Sequence, residues 1–178
     1  MLDDAPHRAR FERRVGASPD VTWAALHEVT LDELALARLL LAARSLRPRL
    51  LLGGDGRPVL SAFLGLGFAT VRQEPPSVLV LGAVGQPWRL RGGDTLRPAA
   101  ADELVRFDRP GFVRMVLSFE LEPTGGGDTV LATETRISPT DAYAARAFGR
   151  YWSVVRFGSG AVRIDLLRAI RRRAERRG

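Results

Sequence analysis

The chain has 178 residues, 46% of them apolar and 26% charged, and carries a net charge of +7. That length and apolar share suit a domain able to bury about 70% of its unfolded surface, and they exclude an intrinsically disordered chain. The lack of cysteine excludes disulfides, thiol nucleophiles and thiolate metal sites, while His7 and His27 alone are too few for a histidine-built metal site.

Residues 8 to 17 alternate, with Ala9, Phe11 and Val15 on one face and Arg8, Arg10, Glu12 and Arg14 on the other. This is the period-2 pattern of a half-buried strand. Arg13 interrupts the apolar face, so it needs a partner or an edge position. Ser18-Pro19-Asp20 is a helix start: serine caps, proline suits the first position and aspartate meets the positive end of the dipole. Val21, Ala24, Ala25 and Val29 follow at helical spacing, with Trp23 read as core. Thr30-Leu-Asp-Glu33 matches a capping box. It predicts a second short helix carrying Leu34, Leu36, Leu39, Leu40, Leu41 and Leu46, ended by Pro48.

The glycine-rich Gly53-Gly-Asp-Gly56 and Gly65-Leu-Gly67 fit no phosphate-binding motif and are read as turns or mobile loops. Phe68–Gln73 and Ser77–Val84 form a strand pair joined by Glu74-Pro75-Pro76. The second of these is apolar on both sides, so both its faces must be covered. Ala101–Arg109 is also expected as a strand, with Leu104, Arg106 and Asp108 opposing Val105 and Phe107. Pro110-Gly111 then turns into Phe112–Glu122, which is followed by Asp128–Ile137. In the first, Val113, Met115, Leu117, Phe119 and Leu121 share a face. In the second, Leu131, Thr133, Thr135 and Ile137 share one, opposite Glu134 and Arg136. The two threonines place hydroxyls on an otherwise apolar face; a polar anchor for a ligand and a plain strand preference both account for them.

Ser138-Pro139-Thr-Asp141 starts a last helical region. Phe148, Tyr151, Trp152 and Val155, then Val162, Leu166, Leu167 and Ile170, recur at helical spacing. Gly158-Ser159-Gly160 predicts a break or strong kink between the halves. All 27 basic residues are arginine. The densest group is Arg168, Arg171, Arg172, Arg173, Arg176 and Arg177, read either as a solvated helix end that complements the dipole or as a surface for an acidic partner. The acidic start, Met-Leu-Asp-Asp-Ala-Pro, does not resemble a signal peptide, and no apolar run approaches the ~20 residues of a membrane helix. A soluble, cytoplasmic protein is expected, with one domain over 1–178, a core from 8 to 175, and flexible ends at 1–7 and 176–178.

This order, together with the local words Gly82-Ala-Val-Gly-Gln-Pro-Trp88, Phe107-Asp-Arg-Pro-Gly111, Thr133-Glu-Thr-Arg136 and Phe148-Gly-Arg-Tyr-Trp152, resembles a bacterial branch of the START-related superfamily. That group includes polyketide cyclase/dehydrase-like, lipid-transfer and pollen-allergen-like proteins. The resemblance implies an α+β helix-grip fold: a curved antiparallel sheet of about six to seven strands around a long C-terminal helix, with two short helices after the first strand. It also implies an apolar cavity between sheet and helix, lined by Trp88, Phe107, Met115, Phe119, Thr133, Thr135, Phe148, Tyr151, Trp152 and Val155. It implies no universal catalytic motif.

Three functions are therefore expected candidates. The first is binding or carriage of a small hydrophobic, lipid- or polyketide-like molecule, with no cofactor and no metal. The second is a cyclase or aromatase-like enzyme, for which Tyr151, Asp108, Arg106 and the Glu134/Arg136 pair are the acid–base candidates. The alternation puts Glu134 and Arg136 on the outer face as a surface ion pair, and His27 on a solvated helix position. The third is an adaptor that meets an acidic partner or a membrane surface through its arginine tail. No specific nucleic acid is expected, and a homodimer is left open.

Overall fold

In a computed structural model of the chain, residues 1–34, 56–89 and 92–177 are described. Their strands are β1 (His7–Val15), β2 (Ala69–Glu74), β3 (Val78–Gly85), β4 (Thr95–Leu96), β5 (Val113–Pro123) and β6 (Thr129–Pro139). Their helices are α1 (Pro19–Glu28), α2 (Val59–Gly65), α3 (Ala101–Arg106) and α4 (Ala142–Glu175), with a 3-10 turn at Leu31–Glu33. The strands form one curved antiparallel sheet in the order β1-β6-β5-β3-β2, and β4 pairs with β3. The fold is α+β helix-grip: α4 lies across β1, β6 and β5 and packs against α1.

Register makes the concave face a set of rows. His7, Ile137, Met115 and Ala83 stand side by side across β1, β6, β5 and β3; Ala9, Thr135, Leu117 and Leu81 follow; then Phe11, Thr133, Phe119 and Leu79. The next row is Arg13, Leu131 and Leu121. Arg13 thus points inward, as its place in the alternation demands, and sits on the edge strand. The main core joins this face to α1 and α4 through Leu26, Val29, Phe119, Leu121, Leu131, Leu166, Leu167 and Ile170. Ser18 caps α1 by accepting from the Val21 amide at 3.4 Å, and Glu33 accepts from the Thr30 amide at 3.0 Å. The second helix expected beyond Leu34 lies mostly outside the described residues, as does the Gly53-Gly-Asp loop.

Four expectations are corrected. Ala101–Arg106 is a helix, not a strand. Asp102 and Glu103 lie in its first turn, where acids favour the dipole, and Asp102 pairs with Arg106 one turn later at 3.7 Å. Its single buried side chain, Leu104, covers the outer face of the sheet with Val80, Val84, Phe112 and Val116, which supplies the second cover that β3 requires. Gly82 permits this approach, since a Cβ there would stand 2.8 Å from Leu104 Cδ2.

The Gly158-Ser159-Gly160 run does not break the last helix, which continues from Ala142 to Glu175. Gly160 faces β1 instead: a Cβ at that position would lie 3.2 Å from the Phe11 ring. The glycine thus lets helix and strand approach closely. The third correction concerns Val59–Gly65, a short helix that the sequence did not announce; Phe63 on it meets Phe68 edge-on at 5.7 Å. The first residues of the chain, expected to be loose, lie on the outer face: Ala5 is buried, Met1 and Leu2 pack there, and Arg136 donates to Asp3 at 2.6 Å and to the Met1 carbonyl at 3.0 Å.

Candidate functional site

Between the concave face and α4 lies a cavity of about 770 Å³. The sheet supplies Met115, Leu117, Thr133, Thr135 and Ile137, because alternation turns these residues inward. One stripe of α4 supplies Phe148, Tyr151, Trp152, Val155, Ser159, Val162, Arg163 and Leu166. Trp88, from the loop after β3, and Phe63 and Phe68, around the end of α2, complete much of the wall.

Eight of the expected lining residues border this cavity: Trp88, Met115, Thr133, Thr135, Phe148, Tyr151, Trp152 and Val155. Two do not. Phe119 is fully buried in the main core beneath the cavity's end. Phe107 follows α3 on the outer side, where it meets Phe112 edge-on at 5.5 Å. Its misplacement follows from the strand reading of Ala101–Arg109.

One end of the cavity is aromatic. Phe148 stacks on Trp152 at 5.7 Å and lies 5.9 Å from Tyr151 and 6.5 Å from Trp88, while His7 meets Phe148 edge-on at 4.9 Å. Burial lowers the His7 pKa, so the imidazole is neutral at neutral pH.

The polar atoms of the wall are few and distinctive. The Trp88 indole Nε1, the Thr133 and Thr135 hydroxyls and the Arg163 Nη1 are all buried without a hydrogen-bond partner. Part of the Arg163 side chain borders the open cavity, so the residue as a whole is half-buried while Nη1 is sealed from water. Burial lowers its pKa to about 10, which leaves it cationic at neutral pH. The sequence flagged Arg13 for interrupting an apolar face, and Arg163 does the same on α4, seven residues before Ile170. In a chain with 27 arginines, that signal was easily passed over.

The acid–base candidates do not converge. Arg106 ends α3 and Asp108 follows it, both exposed on the outer side. Glu134 is on the outer face, as alternation requires, but its side chain is only 5% exposed, so it is no surface carboxylate. Arg8 donates to it at 2.9 Å and Arg136 at 2.8 Å. Burial pushes its pKa up, and these hydrogen bonds outweigh that, holding the carboxyl below the usual range. His27 is partly buried: its Nδ1 lies 2.9 Å from the Trp23 carbonyl, and its ring packs on Trp23 at 4.7 Å. Tyr151 is the one of these candidates that borders the cavity, and no Asp, Glu or His lines it among the described residues. Among the described residues no group of three or more His, Asp and Glu is placed to hold a metal ion.

The arginine tail is engaged within the molecule. Arg173 pairs with Glu33 at 2.7 Å and Glu28 at 3.6 Å, Arg176 with Glu33 at 3.5 Å, and Arg177 with Glu28. Arg171 pairs with Glu175 at 2.9 Å, and Arg172 donates to the Glu33 carbonyl at 3.2 Å. These contacts dock the end of α4 onto α1 and the turn after it. Among the described residues no helix is long and apolar enough to cross a membrane.

No protein-family model matches the chain, and no curated protein matches it. Solved structures similar to it include a protein from Mesorhizobium loti at 18% identity, covering 93% of this chain and 98% of that one with a TM-score of 0.39. A conserved protein from Geobacillus kaustophilus is 13% identical over 96% of each chain, with a TM-score of 0.40. An aromatase/cyclase from a Streptomyces species is 12% identical over 96% of this chain and 94% of its own, with a TM-score of 0.37. Likenesses this distant carry no inference about activity; the helix-grip assignment stands on this chain's own strand order and terminal helix.

Proposed function

We propose that the protein binds or carries a small hydrophobic molecule in the cavity between the sheet and α4, as a cytoplasmic carrier. One observation carries the reading. A cavity of about 770 Å³ has walls dominated by aromatic and aliphatic side chains and interrupted by a few buried polar atoms that have no partner within the protein. Small-molecule sites are built this way: apolar area supplies affinity and sparse polar groups supply orientation. An apolar core has no use for unpaired polar atoms, each of which costs about 1–3 kcal/mol when buried unsatisfied. The absence of carboxylate and imidazole from the described wall gives the cyclase-like alternative no acid–base pair to work with. The pairing of the tail with Glu28 and Glu33 likewise removes support from the adaptor alternative.

The test is native mass spectrometry of freshly purified protein, followed by denaturing extraction. The expected result is a discrete excess mass that is released on denaturation and lost in Trp152→Ala. A bare protein that also takes up no apolar compound on titration would overturn the reading.

A further inference from the structure

We infer that the molecule this cavity takes is an amphipathic carboxylate, with its acid group at the Arg163 guanidinium and its apolar body extending toward the aromatic end at Trp88. The inference rests on the cavity being the ligand site and goes on to name the ligand's chemical class.

The argument begins with charge. Arg163 borders the cavity, and its Nη1 is buried with no hydrogen-bond partner. Arg114 and Arg173 also have a buried Nε without a partner, but the rest of each guanidinium is hydrogen-bonded, as is that of Arg136. Arg136 donates to Glu134 and Asp3, Arg173 to Glu33, and Arg114 to Ser138 and to the Val105 carbonyl. Arg13 points inward with its Nε unpartnered, but it does not border the cavity. No Asp or Glu lines the described wall to neutralise Arg163. A guanidinium keeps its proton at neutral pH and offers several donors in a rigid fork, so it is matched by an anion with two oxygens in one plane. Isolated charge in an apolar setting is expensive, and a bound carboxylate both neutralises it and fills its donors.

The remaining unpartnered atoms agree. The Trp88 indole is a donor only, and the Thr133 and Thr135 hydroxyls can donate or accept, so the described wall offers side-chain donors and carries no carboxylate. Such a wall selects oxygen-bearing ligands over amines. A single guanidinium matches a monoanion, not a phosphate carrying close to two charges.

Position gives the orientation. Phe148, beside Trp88, and Arg163 lie on one stripe of α4, and their spacing along the sequence corresponds to roughly 22 Å of helix. The acid end and the aromatic end are therefore at opposite ends of the cavity. Thr135 and Thr133 stand in successive rows of the sheet between Ile137 and Leu131.

The experiment is calorimetric titration of the full chain with dodecanoate and dodecanol, and with pyrenebutanoate and its methyl ester. Two apolar bodies are used so that body shape and acid group vary independently. A charge-assisted, bidentate contact predicts that each acid binds about tenfold to a hundredfold tighter than its neutral match. Arg163→Met should remove that preference, read within the variant as an acid-to-neutral affinity ratio close to one. Equal binding of acids and neutral matches by the unmodified protein would overturn the carboxylate inference and leave the cavity reading standing. A full acid preference in Arg163→Met would overturn the assignment to Arg163. Failure of all four compounds to bind would remove the cavity reading and this inference together. The comparison in the unmodified protein needs no variant. Should the methionine variant not fold, Arg163→Lys, which keeps the charge and loses the fork, is expected to retain a reduced preference.

Discussion

Glu134 has 5% of its side chain exposed and lies between Arg8 and Arg136. Two guanidiniums on one carboxylate make this an ion network partly withdrawn from water, where loss of the central charge leaves both partners under-paired. Arg8 is half exposed, so part of its attraction is screened. Glu134→Gln is therefore expected to cost about 1–3 kcal/mol at neutral pH. The pH dependence follows from the lowered carboxyl pKa. A folded value below the unfolded one means that the unfolded chain binds more protons in acid. The contribution is then complete above the ordinary carboxylate range and disappears as pH falls through the folded value. Urea denaturation between neutral pH and pH 3 should show an acid limb that is flatter in the glutamine variant; parallel limbs would refute the assignment. Alternation made the side of the sheet legible. It could not show that Arg8 on the neighbouring strand joins Arg136 in closing over the carboxylate, because that depends on register between residues 8 and 134.

At the scale of elements, the close approach of α4 to β1 is the contact that sequence reading turned around. Glycine and serine inside a helix signal a kink when only the helix is considered. Here Gly160 meets the Phe11 ring, and the helix continues unbroken. The glycine's cost in helix propensity, about 1 kcal/mol, is offset by packing that a larger residue would disturb. Gly160→Val should destabilise by about 1–3 kcal/mol through overpacking. Adding Phe11→Ala should recover part of that loss, a coupling that a double-mutant cycle measures. Additive losses would show that the two residues do not press on each other. The same limit explains α3. Read along the chain, Ala101–Arg109 alternates as well as a strand does, and only Leu104 lying over Gly82 reveals the helix. The long strands and α4 were legible because their periodicity persists over many residues. Short elements such as α2 and α3 take their form from distant neighbours.

For the whole molecule, the cavity and its unpaired guanidinium set stability against binding. An empty pocket forgoes dispersion contacts along its walls, and Arg163 adds the cost of charge in an apolar setting. A folded pKa lowered by burial to about 10, well below the ordinary guanidinium range of the unfolded chain, fixes the sign. Below pH 10 both states carry the proton and the full penalty is present; above it the folded state releases its proton first and the penalty falls. Between pH 5 and 9 the cost is therefore constant, and the carboxylate network, which weakens only in more acid solution, does not blur it. Arg163→Met fills similar volume without charge, so the empty variant should be more stable than the parent by about 1–3 kcal/mol, a gain seen when buried charges give way to packed apolar groups. Occupancy should reverse the order. Saturating dodecanoate stabilises the parent by an amount that grows with the logarithm of ligand over Kd, and it should stabilise the variant less. Denaturant titrations of both proteins, empty and with dodecanoate, at pH 6 and pH 9 decide the matter. A crossing of the two orders at both pH values is expected. An empty variant weaker than its parent would mean that Arg163 supports the fold and is not held ready for an anion.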